Sequence, residues 1–176
     1  MNITHILKTS FFLTCYKSDT LSIPKSLGLF ITILAITYTM AVFSRFLVPE
    51  ATATEAALHT MAEYAFLLAS AWTLVTIFRR KDQYLILAIA FIGIGLIGDS
   101  YFVLARLLLN TESIGYLSPL IIVIQLVGIT RAVKTFFDIH LGIAISFAIV
   151  YFIGVIGLFG FISDINFDLP LASGYI

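Results

Sequence analysis

Five ionisable residues interrupt otherwise apolar stretches of this sequence and are its candidates for chemistry: Arg45, His59, Glu63, Asp99 and Arg106. A charge near the centre of a bilayer costs at least about 2.5 kcal/mol, so each of these side chains needs a partner or a purpose. Carboxylates in such surroundings hold helices together by pairing with arginine, or they carry a proton or a cation. Three interpretations follow: a structural ion-pair network, a proton or cation site, and an interface to another membrane subunit.

Two glycine stripes also resemble functional motifs: Gly93, Gly95 and Gly98, and Gly154, Gly157 and Gly160. Residues 93–99 (GIGLIGD) match the nucleotide-binding pattern G-x-G-x-x-G, which requires a strand before the glycines. Here the glycines lie within an apolar segment, so both stripes are expected to let helices pack closely. No His, Cys or acid spacing suits a metal, and no nucleophile lies near both a His and an acid. The sequence therefore predicts no catalytic residue, no metal site and no cofactor.

The composition places the chain in a lipid bilayer. Of 176 residues, 60% are hydrophobic and 11% are charged, whereas soluble domains have about 45–50% apolar and about 25% charged residues. The mean hydropathy is +1.06, and ten basic residues balance ten acidic ones. These values exclude a water-soluble globule, a disordered chain and a nucleic-acid-binding protein. Cys15 is the only cysteine, which excludes an intramolecular disulfide.

Five apolar stretches are long enough to cross the bilayer, for which about 20 residues are needed. They are residues 26–48, 56–78, 84–109, 118–133 and 141–162. The fourth is the shortest, and Ser118 as N-cap with Pro119 in the first turn would start it. The sequence predicts an all-α, polytopic five-helix membrane domain over residues 26–162. Residues 1–25 would form a cytoplasmic segment with an interfacial helix, and residues 163–176 a short external tail.

The distribution of charges predicts the orientation. Eight of the ten basic residues fall in alternate loops: Lys8, Lys17, Lys25, Arg79, Arg80, Lys81, Arg131 and Lys134. The loops at the other ends of the spans and the tail contain no Lys or Arg, and their charged residues are all acidic: Glu50, Glu55, Glu112, Asp164 and Asp168. Because basic loops stay in the cytoplasm, the N-terminus is expected inside and the C-terminus outside.

Counting residues along the predicted helices places the ionisable side chains at one depth. With a rise of about 1.5 Å per residue, Glu63 lies roughly 10 Å below the outer start of span two. Asp99 lies roughly 22 Å above the inner start of span three, in a core about 30 Å thick. Arg45 and Arg106 are near the outer ends of spans one and three, and His59 shares a helix face with Glu63. The five residues therefore form one predicted layer in the outer leaflet.

Residues 125–133 (QLVGITRAV), followed by residues 140–144 (HLGIA) and a last apolar helix, resemble the closing pair of helices in Yip1-like membrane proteins. The bacterial members of that group are small five-span proteins, mostly without an assigned biochemical role. The five-span layout and the cytoplasmic N-terminus are similar, but the long N-terminal region of the eukaryotic trafficking members is missing. The resemblance implies a bacterial inner (cytoplasmic) membrane and carries over no functional residue.

Short loops, glycine stripes and one ionic layer favour a non-enzymatic accessory or scaffold subunit that associates with other membrane proteins. The alternative is a small transporter or channel component that uses the ionisable layer. An enzyme acting on a lipid or quinone is a third class, which would need a groove at that layer. The expected partners are the lipid bilayer and either other membrane proteins or a second copy of the chain, and not nucleic acid.

Overall fold

The computed structural model describes residues 25–46, 52–108 and 111–167, with side chains for 25–46, 52–108, 119–158 and 160. These residues form five α-helices and contain no strand: α1 (Leu27–Phe46), α2 (Ala53–Ile77), α3 (Tyr84–Leu108), α4 (Thr111–Phe137) and α5 (Leu141–Phe167). A short 3₁₀ turn, Lys81–Gln83, joins α2 to α3. The expected interfacial helix in residues 1–25 lies outside the described residues, except for Lys25.

All five helices are long and apolar enough to cross a membrane. This confirms the prediction of an all-α bundle with five membrane-spanning helices. The chain therefore has the architecture of an integral membrane protein.

The start of α2 differs from the predicted span, because the helix begins three residues before residue 56. The Thr52 hydroxyl accepts a hydrogen bond from the Glu55 backbone N–H at 3.2 Å, and the Glu55 carboxylate accepts one from the Thr52 backbone N–H at 3.0 Å. This reciprocal capping box satisfies two of the unpaired donors at a helix start. Glu55, expected in the preceding loop, is thus part of the first turn.

The predicted start of the fourth helix is wrong, although the stretch from Pro119 to Phe137 is long and apolar enough to span a membrane. Ser118 does not cap the helix, because α4 begins at Thr111 and continues through Pro119. A proline inside a helix removes one backbone donor, and membrane helices tolerate this loss where neighbouring groups satisfy the freed carbonyl. At the other end of the chain, α5 continues to Phe167, so the predicted tail begins within the helix. Hydropathy marks the edge of the apolar stretch and not the end of backbone hydrogen bonding.

Helix α3 is the centre of the bundle. In the apolar part of Lys81–Leu108, 72% of the residues are buried, against 22% in the corresponding parts of α1 and α5. α3 packs against α1, α2 and α4, while α5 packs against α4 and α2. The largest fully buried side chains of α3 are Phe91, Leu87, Ile89, Ile92 and Ile94. A stretch of helix that is buried on all sides, as residues 86–94 are here, is typical of the core of a membrane bundle.

Two polar contacts define one end of the bundle. The Arg80 guanidinium donates to the backbone carbonyl of Phe136 at 2.7 Å, which satisfies an acceptor in the last turn of α4. Lys25, just before α1, forms an exposed ion pair with Asp82 at 3.3 Å. The starts of α1 and α3 therefore lie at the same end as the last turns of α2 and α4. The ionisable residues Arg45 and Glu63 lie towards the opposite end.

Candidate functional site

Arg45, in the last turn of α1, joins α1 to α2. One guanidinium nitrogen donates to the Thr60 hydroxyl and the other donates to the Glu63 carboxylate. Thr60 is fully buried, and its own hydroxyl donates to the Ala56 carbonyl at 2.7 Å, so its oxygen is oriented to accept from Arg45. The Arg45 and Glu63 side chains are 23% and 27% exposed. The structure therefore brings two of the five candidate residues into direct contact. The same guanidinium also bonds to Thr60, a residue that the sequence did not single out.

A second contact between α1 and α2 involves Tyr38, which lies two turns before Arg45 on α1. The Tyr38 hydroxyl donates to the Ala57 backbone carbonyl at 3.2 Å. Its ring meets the ring of Tyr64 edge-on, with centroids 6.3 Å apart. Tyr38 and Arg45 are seven residues apart, so both point from the same face of α1 towards α2. These bonds fix α1 against α2 over two helical turns.

Asp99 of α3 is in electrostatic contact with the Arg45–Glu63 pair. It is half-buried, and Glu63 and Arg45 are the charged residues that act on its carboxyl group. Among the described residues, the ion pairs are Arg45–Glu63 and Lys25–Asp82, and neither includes Asp99. One guanidinium therefore faces two carboxylates, and it bonds directly to only one of them.

Tyr64 is the buried polar residue between α2 and α3 that the sequence analysis missed. Its side chain is only 6% exposed, and its hydroxyl lies 3.8 Å from the Cβ position of Gly95, one turn before Asp99. Within the described residues this hydroxyl has no hydrogen bond of ordinary geometry. Thr37 of α1 lies beside it, and the Thr37 hydroxyl donates to the Ile33 carbonyl at 2.8 Å. The i, i+4 spacing from Thr60 to Tyr64 on one helix face is the sequence signal that could have identified both residues.

The remaining two candidates lie at the edge of this group. His59 is half-buried on α2 and is in electrostatic contact with Arg45 and Glu55. Arg106 places its guanidinium over the ring of Phe102, with 5.2 Å to the centroid, in a cation–π contact. Although Arg106 and Asp99 share a helix stripe, they form no ion pair in the part of the chain that the structure describes.

The first glycine stripe lies where α3 meets its neighbours. Gly93 is buried, and Gly95 faces the Tyr64 hydroxyl. At Gly98, a Cβ would come within 2.6 Å of the Gln125 side-chain amide carbon on α4. The absence of a side chain at Gly98 lets α3 and α4 approach with the Gln125 amide between them.

The second stripe on α5 divides into two parts. A Cβ at Gly154 would collide with the ring of Phe66 on α2, coming within 3.1 Å of its Cε1. The Cβ positions of Gly157 and Gly160 meet nothing within 4 Å. Of the three glycines, only Gly154 makes room for another helix within the described residues.

One face of α3 is covered in the first half of the helix and exposed in the second. Ile86, Ile89, Gly93 and Ile97 are buried. The same face continues, at helical spacing, with three exposed residues: Ser100, Leu104 and Leu107. We call these three residues the open face of α3. Helices α1 and α4, which both pack on α3, do not pack extensively on each other.

The described residues contain no group of three or more His, Cys, Asp or Glu side chains that could hold a metal ion.

No family model, curated protein or solved structure matches the chain. Membership of the Yip1-like group therefore stays a prediction from residues 125–144.

Proposed function

We propose that the protein is a non-enzymatic accessory or scaffold subunit that binds another integral membrane protein through the open face of α3. The observation that supports this proposal is the change from burial to exposure along one face of the central helix. Leu104 and Leu107 are 52% and 66% exposed, although Ile97, two turns before Leu104, is 8% exposed.

The chemistry of the open face suits a helix from a partner protein. Membrane helices associate through close packing of small residues and through interhelical hydrogen bonds, because lipid tails provide no hydrophobic driving force. Ser100 supplies a small side chain with a hydroxyl, and the two leucines supply packing surface. Tyr101, next to Ser100 and 41% exposed, adds an aromatic ring and a second hydroxyl at the edge of this face. A partner helix would complete the packing of α3 in the half of the bundle that contains Arg45 and Glu63.

We also propose that the N-terminus is cytoplasmic, the C-terminus external and the membrane a bacterial inner membrane, as the Yip1-like resemblance implies. The supporting observation is the basic character of one end of the bundle. Lys25 and Arg80 lie at this end, together with Arg79, Lys81 and Lys134 in the adjoining turns. Positive residues near the ends of spans favour retention on the cytoplasmic side.

The native complex tests the accessory role. The tagged protein is extracted in mild detergent, and the mass and composition of the complex are determined. We expect a stoichiometric complex with one different membrane protein, which Leu104→Trp disrupts by placing a bulky ring on the open face. Ile153→Trp is the matched control, because Ile153 is 64% exposed on α5, away from this face. Recovery of the wild type only as a monomer or homo-oligomer contradicts the proposal.

A second candidate function is a small transporter or channel component, and the position of Asp99 favours it. Ionisable residues within a membrane domain often line ion or proton pathways, and Asp99 faces Glu63 without an ion-pair partner of its own in the described residues. In proteoliposomes, this function predicts proton or cation flux that Asp99→Asn abolishes and Asp82→Asn, at the opposite end, leaves intact. Absence of flux with the wild type contradicts it.

A further inference from the structure

We propose that Asp99 is an exchangeable proton-binding site, in which a proton on the Asp99 carboxyl group balances the charge of the Arg45–Glu63 pair and the Tyr64 hydroxyl provides the hydrogen-bonding partner. The proton adds to one carboxylate oxygen, and no other bond forms or breaks. The inference deepens the second candidate function, since it names the ligand of that site. It does not depend on the accessory role.

Charge balance is the first argument. Arg45 carries one positive charge and bonds directly to Glu63, and Asp99 faces the same pair. With both carboxylates ionised, the group would hold one uncompensated negative charge in a medium where such a charge is costly. Two carboxylates that share a site share a proton for this reason, because like charges at short range cannot both ionise cheaply. One bound proton restores neutrality.

The buried hydroxyl of Tyr64 is the second and independent argument. This side chain is 6% exposed, and its oxygen makes no hydrogen bond of ordinary geometry within the described residues. A buried hydroxyl without a partner costs about 1–3 kcal/mol, so its position calls for an explanation. Asp99 is the charged residue that acts on it most strongly. The hydroxyl can accept from a protonated Asp99 and donate to an ionised one, directly or through a water molecule.

The donor set favours a proton over an alkali or alkaline-earth cation. Hard cations such as Ca²⁺ take about six to eight oxygen ligands, several of them carboxylates or carbonyls. Here Glu63 is bonded to Arg45, which leaves one carboxyl group and one hydroxyl. The Arg45 guanidinium also repels a second cation placed beside it. A proton needs only a single carboxylate oxygen and no further ligand.

The polar and ionisable groups around Asp99 and the Arg45–Glu63 pair come from all five helices. Arg45 belongs to α1 and Glu63, Tyr64 and His59 belong to α2. Tyr151 of α5 is in electrostatic contact with Glu63 and Tyr64. On its own helix Arg106 lies two turns further on, over the Phe102 ring, and α4 contributes the neutral Gln125 amide beside Gly98.

Infrared difference spectroscopy of the purified protein in lipid vesicles tests the site. We expect a carbonyl-stretch band of a protonated carboxylic acid that disappears reversibly as the pH rises. Asp99→Asn should remove the band, whereas Asp82→Asn, at the opposite end of the bundle, should leave it unchanged. Circular dichroism and gel filtration of each variant establish that it is folded. A band that is absent from the wild type at every pH, or that survives in folded Asp99→Asn, overturns the inference.

Two further variants test whether Glu63 and Tyr64 take part in the site, as opposed to Asp99 being a buried carboxylic acid that interacts with neither. Glu63→Gln should shift the titration of the band to lower pH, because Arg45 then compensates Asp99 alone. Tyr64→Phe should alter the band frequency, because the carboxylic acid loses its hydrogen-bonding partner. Failure of both variants to change the band overturns the proposed arrangement.

The choice of salt and a parallel flux assay distinguish the remaining outcomes. Titrations in sodium and in choline salts should coincide, and displacement of the band by sodium at fixed pH would overturn the assignment to a proton. A titrating band in a protein without proton flux would support the binding site and contradict the transport function. Proton flux without the band would contradict the proton-binding site at Asp99 and support the transport function.

Discussion

The Arg45 guanidinium on α1 and the Glu63 carboxylate on α2 form an ion pair between two helices that are otherwise largely apolar. The same guanidinium also donates to Thr60, so a single side chain makes two bonds to one face of α2. Charged groups that are paired and hydrogen-bonded in this way are tolerated at membrane depth, where an unpaired charge is not. The pair therefore fixes the position of α1 on α2 and sets the electrostatic surroundings of Asp99.

Removing the guanidinium should destabilise the bundle. Arg45→Gln leaves the Glu63 and Asp99 carboxylates without a cation, and we expect a loss of about 1–3 kcal/mol, between the values for exposed and for fully buried pairs. The free energy of unfolding, measured by denaturant titration in detergent micelles, gives the loss. Adding Glu63→Gln should recover part of it, because the double variant no longer contains the uncompensated Glu63 charge.

The exposed pair at the opposite end provides the control for this experiment. Asp82→Asn breaks the Lys25–Asp82 contact, whose side chains are 49% and 69% exposed. It should change the free energy of unfolding by less than about 1 kcal/mol. Equal effects of Arg45→Gln and Asp82→Asn would contradict a special structural role for the Arg45–Glu63 pair.

Two glycines on α5 should respond differently to alanine. Gly154→Ala places a methyl group against the Phe66 ring, which is itself stacked on Tyr151 with centroids 5.6 Å apart. We expect a destabilisation of about 1–3 kcal/mol from overpacking. Gly157→Ala is the matched control: its Cβ meets nothing within 4 Å, and alanine is the better helix former.

Thermal unfolding of both variants in the same detergent measures this difference. Phe66→Leu in the Gly154→Ala background should recover stability, because the smaller side chain vacates the space that the methyl group needs. A Gly154→Ala protein as stable as Gly157→Ala would mean that α5 does not pack closely on α2 at this position.

The orientation of the helices is a separate prediction. A reporter fused after Ile176 should be active only if it is outside the cytoplasm, and a reporter inserted between Phe78 and Tyr84 should report a cytoplasmic position. The physical reason is the concentration of basic residues in the α2–α3 turn. Opposite results at both positions would invert the topology. A cytoplasmic position at both would contradict an odd number of spans after the α2–α3 turn.

The five helices could be predicted because a membrane-spanning helix satisfies its own backbone hydrogen bonds and presents a long stretch of apolar side chains. Hydropathy detects such a stretch directly. Helix starts were less predictable. Pro119 resembled a first-turn proline, but a proline with helical φ also fits within a helix when its surroundings satisfy the freed carbonyl. Glu55 resembled a loop acid, although its spacing from Thr52 matched a capping box.

The candidate site was predictable in depth and less so in its contacts. Helix rise placed Arg45, Glu63 and Asp99 at one predicted level, and in the structure Arg45 bonds to Glu63 while Asp99 is in electrostatic contact with both. Which side chains touch depends on the rotation and tilt of each helix, which span boundaries do not contain. The burial of Tyr64 depends on how α2 packs against α3, so its place beside Asp99 became visible only in three dimensions. The Arg106 contact with Phe102, by contrast, lies within α3 at i, i+4 spacing, which the sequence alone could have indicated.

The most direct test of the accessory role is site-specific photo-cross-linking in native membranes from the open face of α3. A photoreactive amino acid replaces Leu104, and in a parallel variant it replaces Ile156, which is 67% exposed on α5. We predict that Leu104 gives one adduct of defined mass with a different membrane protein and that Ile156 gives none. Lipid adducts alone at both positions, or an adduct at Leu104 with a second copy of this chain, would contradict the proposed function.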